Sequence, residues 1–503
     1  MRILVWHGWL LEGTGSNVYT AKVSEVWRRQ GHHVVIVCQD QYAQRLSFVD
    51  EVGRPGSELE PTQVERAPGR VTVLRPEIGS LLPVFVLDQY EGFEAKRFVD
   101  LDESELERYL ALNVTALERV AGELPPDAAI AGHAVPGPVV ARRALGDGAY
   151  VAKVHGSDLE YAVKLQERYA VLAREGLEPA KAVVGASRDV LVRTREVAQV
   201  VEERIHVIPP GVDVERWRPR DRREALADVS FRLVEHPDIG RGRRLATDLE
   251  AAGTLSGRDA AGLEELARSY DQMAPDRYSP IALRELAGHD GPIVGYLGKL
   301  IPEKGVERAL EAIALLGADA RGLIVGFGTF REWLVALVAA LDTGDVGAYR
   351  WLAETSPMKL ELEPDEVRAA SGLASRVTFT GRLDHRYAPE VVAAMDILVV
   401  PSTLEEAFGM VAAEGAAAGA LPVVARHSSL AEVADALEGS IGRPGALSFE
   451  PGDGATRRLA ERLRALLAES PQDRKDLAEA ARGHVAREWT WERTAERLLA
   501  VAT

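Results

Sequence analysis

Cysteine is almost absent from this sequence, since Cys38 is the only one among 503 residues. A single thiol excludes an internal disulfide framework and any zinc site built from several cysteines. Such sparing use is typical of proteins in a reducing compartment, so we expect a cytoplasmic location. The chain also opens directly on a strand-like segment, residues 2–6, and we therefore expect no secretory signal.

Long apolar runs and an excess of positive charge are also missing. No run approaches the roughly 18 apolar residues that a membrane-spanning helix needs, so no transmembrane segment is expected. The formal net charge of -17 argues against a general nucleic-acid partner, because nucleic acid repels an acidic surface. A chain of this length can instead bury the cores of two globular domains.

The most informative stretch is 396–425, where two short apolar runs flank a segment of helix-forming residues. Apolar runs of that length are typical of buried parallel strands, and an alanine-rich segment without proline favours a helix. Gly419 is a favourable residue at which to end that helix. The pattern therefore predicts a strand, a loop, a helix and a strand over 397–400, 401–409, 410–418 and 421–425.

The predicted loop follows the carboxyl end of a parallel strand, where open α/β sheets bind ligands. Backbone N–H groups around Phe408, Gly409 and Met410, at the start of the helix, favour an anion such as a diphosphate. Glu406 in the loop and Glu414 in the helix can accept hydrogen bonds from hydroxyl groups on either side of that anion. The residues alone leave open a core helix that carries two solvated carboxylates.

The sequence E-A-F-G at 406–409, followed by Glu414, resembles the E-x7-E element of retaining glycosyltransferases of family 4. This resemblance implies an α/β protein of the GT-B fold, with two Rossmann-like domains facing a central cleft and a C-terminal helix that crosses back to the first domain. It also implies that Glu406 contacts the donor sugar and that Glu414 holds the ribose of the nucleotide.

A second segment, G-K-L-I-P-E-K-G at 298–305, resembles the family signature G-R-L-x-x-E-K-G, whose Arg and Lys neutralise the donor diphosphate. Lys304 matches the family lysine. Lys299 stands where arginine is usual, and lysine lacks the bidentate fork of arginine. Arg382 follows V-T-F-T-G at 377–381, which resembles the strand whose next loop cradles the nucleotide base. The resemblance therefore implies donor contacts for Lys299, Lys304 and Arg382.

Two loops of the first half resemble other parts of the family pattern. Gly15 lies in G-T-G-S-N at 13–17, which is similar to the glycine-rich first loop near the donor phosphates or the acceptor; a tight turn before a helix is the other explanation. His155 and Asp158 belong to H-G-S-D, which resembles the family's H-G-x-D, and with Glu406 they form the expected catalytic set. His133 follows another predicted strand, and the residues leave its role open between site and structure.

An acidic triplet, Asp100-Leu101-Asp102, matches a D-x-D metal-binding pattern of another glycosyltransferase class. It precedes a predicted helix start, where the helix dipole favours acidic residues, so we predict a helix cap. We therefore expect no metal site and no cofactor beyond a nucleotide-diphosphate sugar as co-substrate.

The predicted organisation has an acceptor-side domain at 1–210 joined by a C-terminal helix at 488–503, a linker with a helical insertion at 211–290, and a donor domain at 291–487. The stretches 214–290 and 329–375 are longer than the family pattern. The first stretch is rich in arginine, which could either contact an anionic acceptor or form a solvated surface. These residues are Arg216, Arg218, Arg220, Arg222, Arg223, Arg241, Arg243 and Arg244.

Together these patterns predict a retaining, metal-independent transferase that moves a sugar from a nucleotide-diphosphate sugar to an acceptor hydroxyl. A sugar, a sugar phosphate or a lipid-linked group could supply that hydroxyl. The alternatives are an epimerase or a phosphorylase of the same fold, or a catalytically silent nucleotide-sugar-binding protein. The sequence names neither the base, the sugar, the acceptor nor the oligomeric state.

Overall fold

The computed structural model describes residues 1–13, 15–86, 90–236, 247–268, 276, 278–317 and 320–503. They form two compact units, one of residues 1–211 with 489–503 and the other of residues 212–488. Four residues that the sequence patterns include, Thr14, Arg241, Arg243 and Arg244, lie outside the described residues.

The first unit is built on a sheet whose described strands lie in the order β11-β10-β9-β8-β1-β2-β5-β3-β4, all parallel except the antiparallel pair β3 and β4. Strands β6 and β7 form a separate parallel pair. The strands are β1 (Arg2–Trp6), β2 (His33–Val37), β3 (Glu51–Gly53), β4 (Glu60–Pro61), β5 (Arg70–Leu74), β6 (Leu81–Val84), β7 (Glu94–Arg97), β8 (Ala128–Gly132), β9 (Val151–Lys153), β10 (Ala182–Gly185) and β11 (Ile205–Val207).

Helices connect these parallel strands, as the crossover geometry of such sheets requires. They are α1 (Gly15–Arg29), α2 (Glu103–Glu123), α3 (Gly137–Leu145), α4 (Glu167–Leu177) and α5 (Arg188–Arg195). Asp102 begins α2 with a capping box, in which its carboxylate accepts the N–H of Glu105 and the Glu105 carboxylate accepts the N–H of Asp102. The prediction that the acidic triplet caps a helix is confirmed.

The second unit has a parallel sheet in the order β14-β13-β12-β15-β16-β17. Its central strands are almost wholly apolar and buried, as expected for strands covered on both faces. The strands are β12 (Ile293–Lys299), β13 (Arg321–Phe327), β14 (Val377–Gly381), β15 (Ile397–Val400), β16 (Leu421–Ala425) and β17 (Ser448–Phe449).

The helices of this unit include the predicted one after β15, so the strand, helix and strand of 397–425 have the predicted bounds. The stretch 329–375, which is longer than the family pattern, is mainly helical. The helices are α6 (Arg222–Glu235), α7 (Thr247–Gly257), α8 (Ala260–Arg268), α9 (Ser279–Ala287), α10 (Val306–Leu315), α11 (Arg331–Thr343), α12 (Val346–Thr355), α13 (Pro364–Ala369), α14 (Ala388–Ala393), α15 (Met410–Ala418), α16 (Ser428–Ile441), α17 (Ala455–Leu467) and α18 (Pro471–Glu488).

Residues 212–290 fold with the second unit. Arg222 shows how this segment is attached, because its guanidinium donates to the carbonyl oxygens of Ala394 and Gly291 and pairs with Asp396 at 2.5 Å. Arg216 likewise donates to the carbonyl of His385. These two half-buried arginines therefore have a structural role within the unit, which the sequence did not indicate.

The last helix, α19 (Trp491–Ala502), belongs to the first unit, where it packs against α1. The indole N–H of buried Trp27 donates to the carbonyl of Ala495 at 3.0 Å. Leu498 is buried beside Val23 and Trp27, so this helix completes the apolar core on one face of the sheet. Within the described residues, we find no helix that is both long and apolar enough to cross a membrane.

Replacing Leu498 by alanine should lower the free energy of unfolding by about 2–5 kcal/mol, because it leaves a cavity in a packed core. The exposed neighbour Glu496 provides the matched control, and Glu496→Ala should change that free energy by less than about 0.5 kcal/mol. Urea denaturation followed by tryptophan fluorescence measures both variants. Equal midpoints for the two would show that α19 contributes little to the core of the first unit.

Candidate functional site

The loops that follow β12 and β15 are joined at the carboxyl end of the second unit's sheet. The carbonyl of Glu303 accepts the N–H groups of Thr403 at 2.8 Å and Leu404 at 3.2 Å. This joint places the ammonium of Lys304 2.5 Å from the carboxylate of Glu406, with both side chains about one-fifth exposed. Two groups from separate sequence signatures therefore meet at the sheet edge where α/β proteins bind ligands.

The loop after β16 holds the same region from the other side. The imidazole of His427 is hydrogen-bonded to the carbonyl of Ser402 at 2.6 Å, and the hydroxyl of Ser429 donates to the carbonyl of Glu406 at 2.7 Å. Gly409 precedes α15 with φ +89°, and a Cβ at that position would collide with Leu430. Glycine is therefore required where the backbone turns into the helix.

The start of α15 supplies N–H groups to this region. Gly409 is the N-cap of the helix and Met410 its first residue, while Phe408 is buried just before them. The first N–H groups of a helix have no partner within it, and they carry the positive end of the helix dipole. This end lies one short loop after Glu406, so a bound anion would lie close to the Lys304 and Glu406 pair.

Lys299 and Arg382, the other two predicted donor cations, both lie near the ring of Phe327 at the end of β13. The ammonium of Lys299 is 6.0 Å from the ring centroid, and the guanidinium of Arg382 is 5.6 Å from it. Cation–π attraction at such distances holds each cation loosely. The structure thus groups the phosphate-side lysine with the residue expected beside the base.

Glu414 is buried in α15, with about 7% of its surface exposed. Burial raises the pKa of its carboxyl group to about 8, since the ionised form loses its hydration. A carboxyl group in that state can donate one hydrogen bond and accept others. Such a group suits a ligand hydroxyl better than a cation.

Sequence reasoning missed Tyr296, which lies inside β12. Its buried hydroxyl donates to the carbonyl of Lys299 at 2.8 Å. Burial, reinforced by the carboxylates of Glu406 and Glu307, raises its pKa well above the usual value, so the phenol stays protonated. A tyrosine in a strand has no signal that distinguishes it from a core residue, which explains the omission.

In the first unit, His155 belongs to an aromatic and basic cluster after β8 and β9. The His155 ring lies 4.6 Å from that of His133 and 5.5 Å from that of Tyr19, measured between centroids. Burial lowers the pKa of His155 well below 6.5, and the neighbouring His133 and Lys153 lower it further. The imidazole is therefore neutral near pH 7 and can both donate and accept a hydrogen bond.

Two members of this cluster, His133 and Lys153, are in energetically unfavourable states. His133 has φ +70°, a conformation that residues other than glycine rarely adopt, and its ring packs 4.4 Å from that of Trp9. Lys153 is buried, and burial lowers its pKa to about 7 although the carboxylate of Asp158 acts against the shift. Strained or desolvated groups of this kind often mark functional sites.

Asp158 lies beneath the cluster and is fully buried. Its carboxylate accepts the N–H groups of Ala134 and, at 3.1 Å, of Leu159, with a longer contact of 3.5 Å from His155. Burial raises its pKa despite these donors. This placement suits a residue that fixes the loop of His155, rather than one that reaches a ligand itself.

Gly15 is the first residue of α1, directly after the loop that leaves β1, and it is exposed. Near it, the side-chain amide of Asn17 donates to the carbonyl of Glu12 at 2.6 Å, and its oxygen contacts the His7 ring at 2.9 Å. His7 and Trp9, at the end of β1, are further residues that the sequence analysis did not single out. Their proximity to His133 required the fold.

Two known sequence families match this chain. Residues 13–216 match the family described as Glycosyltransferase Family 4, and residues 355–469 match Glycosyl transferases group 1. Together the two matches cover more than half of the chain. The chain therefore contains a glycosyltransferase family 4 domain and a glycosyl transferases group 1 domain.

Curated relatives agree with this assignment. Alpha-D-kanosaminyltransferase of Streptomyces kanamyceticus is 33% identical over 128 residues, which are 25% of this chain and 25% of that protein. D-inositol 3-phosphate glycosyltransferase of Geodermatophilus obscurus is 26% identical over 362 residues, 70% of this chain and 59% of the relative. The chain thus spans about a quarter to three-fifths of the length of the curated relatives it matches.

Solved structures show the fold. HepE of Anabaena, crystallised with UDP and glucose, superposes with a TM-score of 0.59 and 15% identity over 99% of this chain and 98% of its own. Sucrose-phosphate synthase of Thermosynechococcus elongatus gives 0.58 and 18% over 99% and 98%. The predicted GT-B fold is confirmed.

The buried carboxyl group of Glu414 makes stability depend on pH. Between pH 4.5 and about 8 the unfolded chain has released this proton while the folded chain keeps it, so rising pH favours unfolding. Glu414→Gln removes the titration. Relative to wild type, the variant should therefore gain on the order of 3 kcal/mol in free energy of unfolding between about pH 5.5 and pH 8.

Denaturation curves at several pH values test this expectation, with Glu405→Gln in the exposed part of the loop as the control. The control should follow wild type at every pH. A constant difference between Glu414→Gln and wild type across the range would contradict a buried, protonated carboxyl group.

Proposed function

We propose that this chain transfers a sugar from a nucleoside-diphosphate sugar to an acceptor hydroxyl, with retention of the anomeric configuration and without a metal ion. The observation that carries the proposal is the meeting of Lys304 and Glu406 beside the start of α15. A cation, a carboxylate and a helix N-terminus together match a diphosphate joined to a polyhydroxylated ring.

The difficult step of such a transfer is departure of the nucleoside diphosphate. Its growing negative charge requires positive groups that are already in place where water is excluded. Positive charge at this place would come from Lys304, Lys299 and the N–H groups at Gly409 and Met410. Because these groups would stabilise the leaving diphosphate, we propose that no metal is needed. Glu414 would bind the ribose through its hydroxyl groups.

The Lys304 and Glu406 pair also suggests what donor binding would change, because the donor would compete for both of its charges. Without donor, each charge is neutralised by the other at 2.5 Å. A diphosphate would compete for the ammonium, and sugar hydroxyl groups would compete for the carboxylate. Glu406 would then orient the sugar, while the acceptor hydroxyl attacks on the face from which the diphosphate leaves and passes its proton to that leaving group.

The first unit would serve the acceptor. The neutral imidazole of His155 would hydrogen-bond an acceptor or donor hydroxyl, and Asp158 would hold its loop. The relatives are named for transfer to D-inositol 3-phosphate and to 2-deoxystreptamine, so we propose a small polyhydroxylated acceptor. Those names describe transferases, and they do not favour the epimerase, phosphorylase or silent-binding alternatives.

We expect Lys304→Ala to weaken nucleotide binding and Glu406→Gln to abolish sugar transfer. Lys304→Ala removes a charge-assisted contact to phosphate, so the affinity for a nucleoside diphosphate should fall roughly 10–100-fold. Glu406→Gln leaves Lys304 available for phosphate, so binding should persist while sugar transfer is lost. Calorimetry with UDP, GDP and ADP measures the first effect.

Product formation from UDP-glucose, UDP-N-acetylglucosamine or GDP-mannose, with the acceptors named above, measures the second. Glu405→Gln is the matched control and should keep both properties. Wild-type transfer by Glu406→Gln would overturn the site. Proton NMR of the product, formed in excess chelator, tests the other two claims: an inverted anomer contradicts retention, and loss of turnover contradicts metal independence.

A further inference from the structure

The described part of the long segment 212–290, which is residues 212–236, 247–268, 276 and 278–290, contacts the end of β14, the strand that leads to Arg382. The backbone N–H of Asp276 donates to the carbonyl of Thr380 at 2.9 Å, and the hydroxyl of Ser279 donates to the same oxygen at 2.7 Å. Asp276, Ser279 and Thr380 are all buried. The backbone at the end of this strand is therefore held by two hydrogen bonds from the segment.

Arg331 binds the segment close to the same end of β14. It is the first residue of α11, and only 1% of its surface is exposed. Its Nε lies 3.0 Å from the carboxylate of Asp276, and its Nη1 lies 2.6 Å from that of Asp248. The guanidinium also lies 5.1 Å from the ring centroid of Phe379, in β14.

A buried ion pair of this kind tolerates little displacement. Separating Arg331 from Asp276 would cost the buried Asp276 carboxylate a charged partner in a medium that solvates it weakly, although Arg331 would keep its contact with Asp248. The planar fork of arginine adds directional constraint. Since Arg331 follows β13 by one short turn, the pair ties the segment to the carboxyl ends of both β13 and β14.

The position of Arg382 depends on this attachment. Gly381 lies between Thr380 and Arg382 with φ +65°, so the chain turns sharply immediately after the anchored carbonyl. The guanidinium of Arg382 then reaches the ring of Phe327 in the neighbouring strand. A displacement of Thr380 would be passed to Arg382 through only two peptide units.

We infer that Asp276 and Ser279 of this segment are specificity determinants, which together with Arg331 of α11 position the 380–383 loop against the base of the donor nucleotide. The inference rests on the proposed function, in which this loop faces the base. Lys299 is the last residue of β12 and Lys304 lies in the turn that follows, so neither lies in the 380–383 loop. Loosening the attachment should therefore affect discrimination between bases more than binding of the diphosphate.

A second attachment of the same segment supplies the control. The indole N–H of Trp333 in α11 donates to the carboxylate of Glu264 in α8 at 3.2 Å. This contact involves neither Thr380 nor the loop that follows it. Glu264→Ala loosens the segment without touching the 380–383 loop, and it should leave nucleotide binding unchanged.

The test measures dissociation constants of UDP, GDP and ADP by calorimetry for wild type, for the double variant Asp276→Asn with Ser279→Ala, and for Glu264→Ala. For the diphosphate that wild type binds most tightly, the double variant should raise Kd about tenfold. Its preference for that base over the other two should shrink by a similar factor. A thermal-unfolding scan of each variant confirms that it is folded.

Unchanged dissociation constants, or a parallel rise for all three nucleotides, would overturn the inference while leaving the proposed function intact. Equal binding of the three nucleotides by wild type would overturn it as well. Failure of wild type to bind any of them would overturn the proposed function, and the inference with it. A loss of preference in Glu264→Ala equal to that in the double variant would show a general effect of the segment and would also count against the inference.

Discussion

The proposed donor site depends on the close approach of two loops at the ends of the adjacent strands β12 and β15. A Cβ at Gly305 would collide with the carbonyl oxygen of Pro401, and the carbonyl of Glu303 accepts two N–H groups from the facing loop. Parallel neighbours bring their carboxyl ends to one edge, and this contact brings Lys304 to Glu406. The pairing of a cation with a carboxylate in the proposed site follows from that backbone contact.

Much of this arrangement could be predicted from the sequence, because the signals are local. The strand, helix and strand of 397–425 follow from short apolar runs, an alanine-rich segment and Gly419. The capping box at Asp102 follows from acidic residues before a helix. The expected roles of Glu406 and Lys304 come from the family resemblance. The parallel sheet explains why these two residues, about a hundred positions apart, can lie in contact.

What could not be predicted depends on contacts between distant segments. Tyr296 and Lys153 are ordinary strand residues by sequence, and burial, which depends on the fold, is the main cause of their shifted pKa values. The H-G-x-D resemblance placed Asp158 in the expected catalytic set, but it could not show that backbone N–H groups of Ala134 and Leu159 donate to its carboxylate. The arginines after residue 212 suggested a charged face, whereas Arg222 is used within the unit. The buried pair of Arg331 and Asp276 joins residues 55 positions apart, and no local sequence pattern predicts it.

In the proposed site, the second unit binds a nucleoside diphosphate through its own side chains and N–H groups. This binding is measured by a thermal-shift titration with UDP, GDP and ADP, each in excess chelator and again with magnesium. At least one diphosphate should raise the Tm saturably in chelator, without a need for magnesium. Absence of any shift, or a shift that appears only with magnesium, would show that the proposed site does not bind a diphosphate in this way.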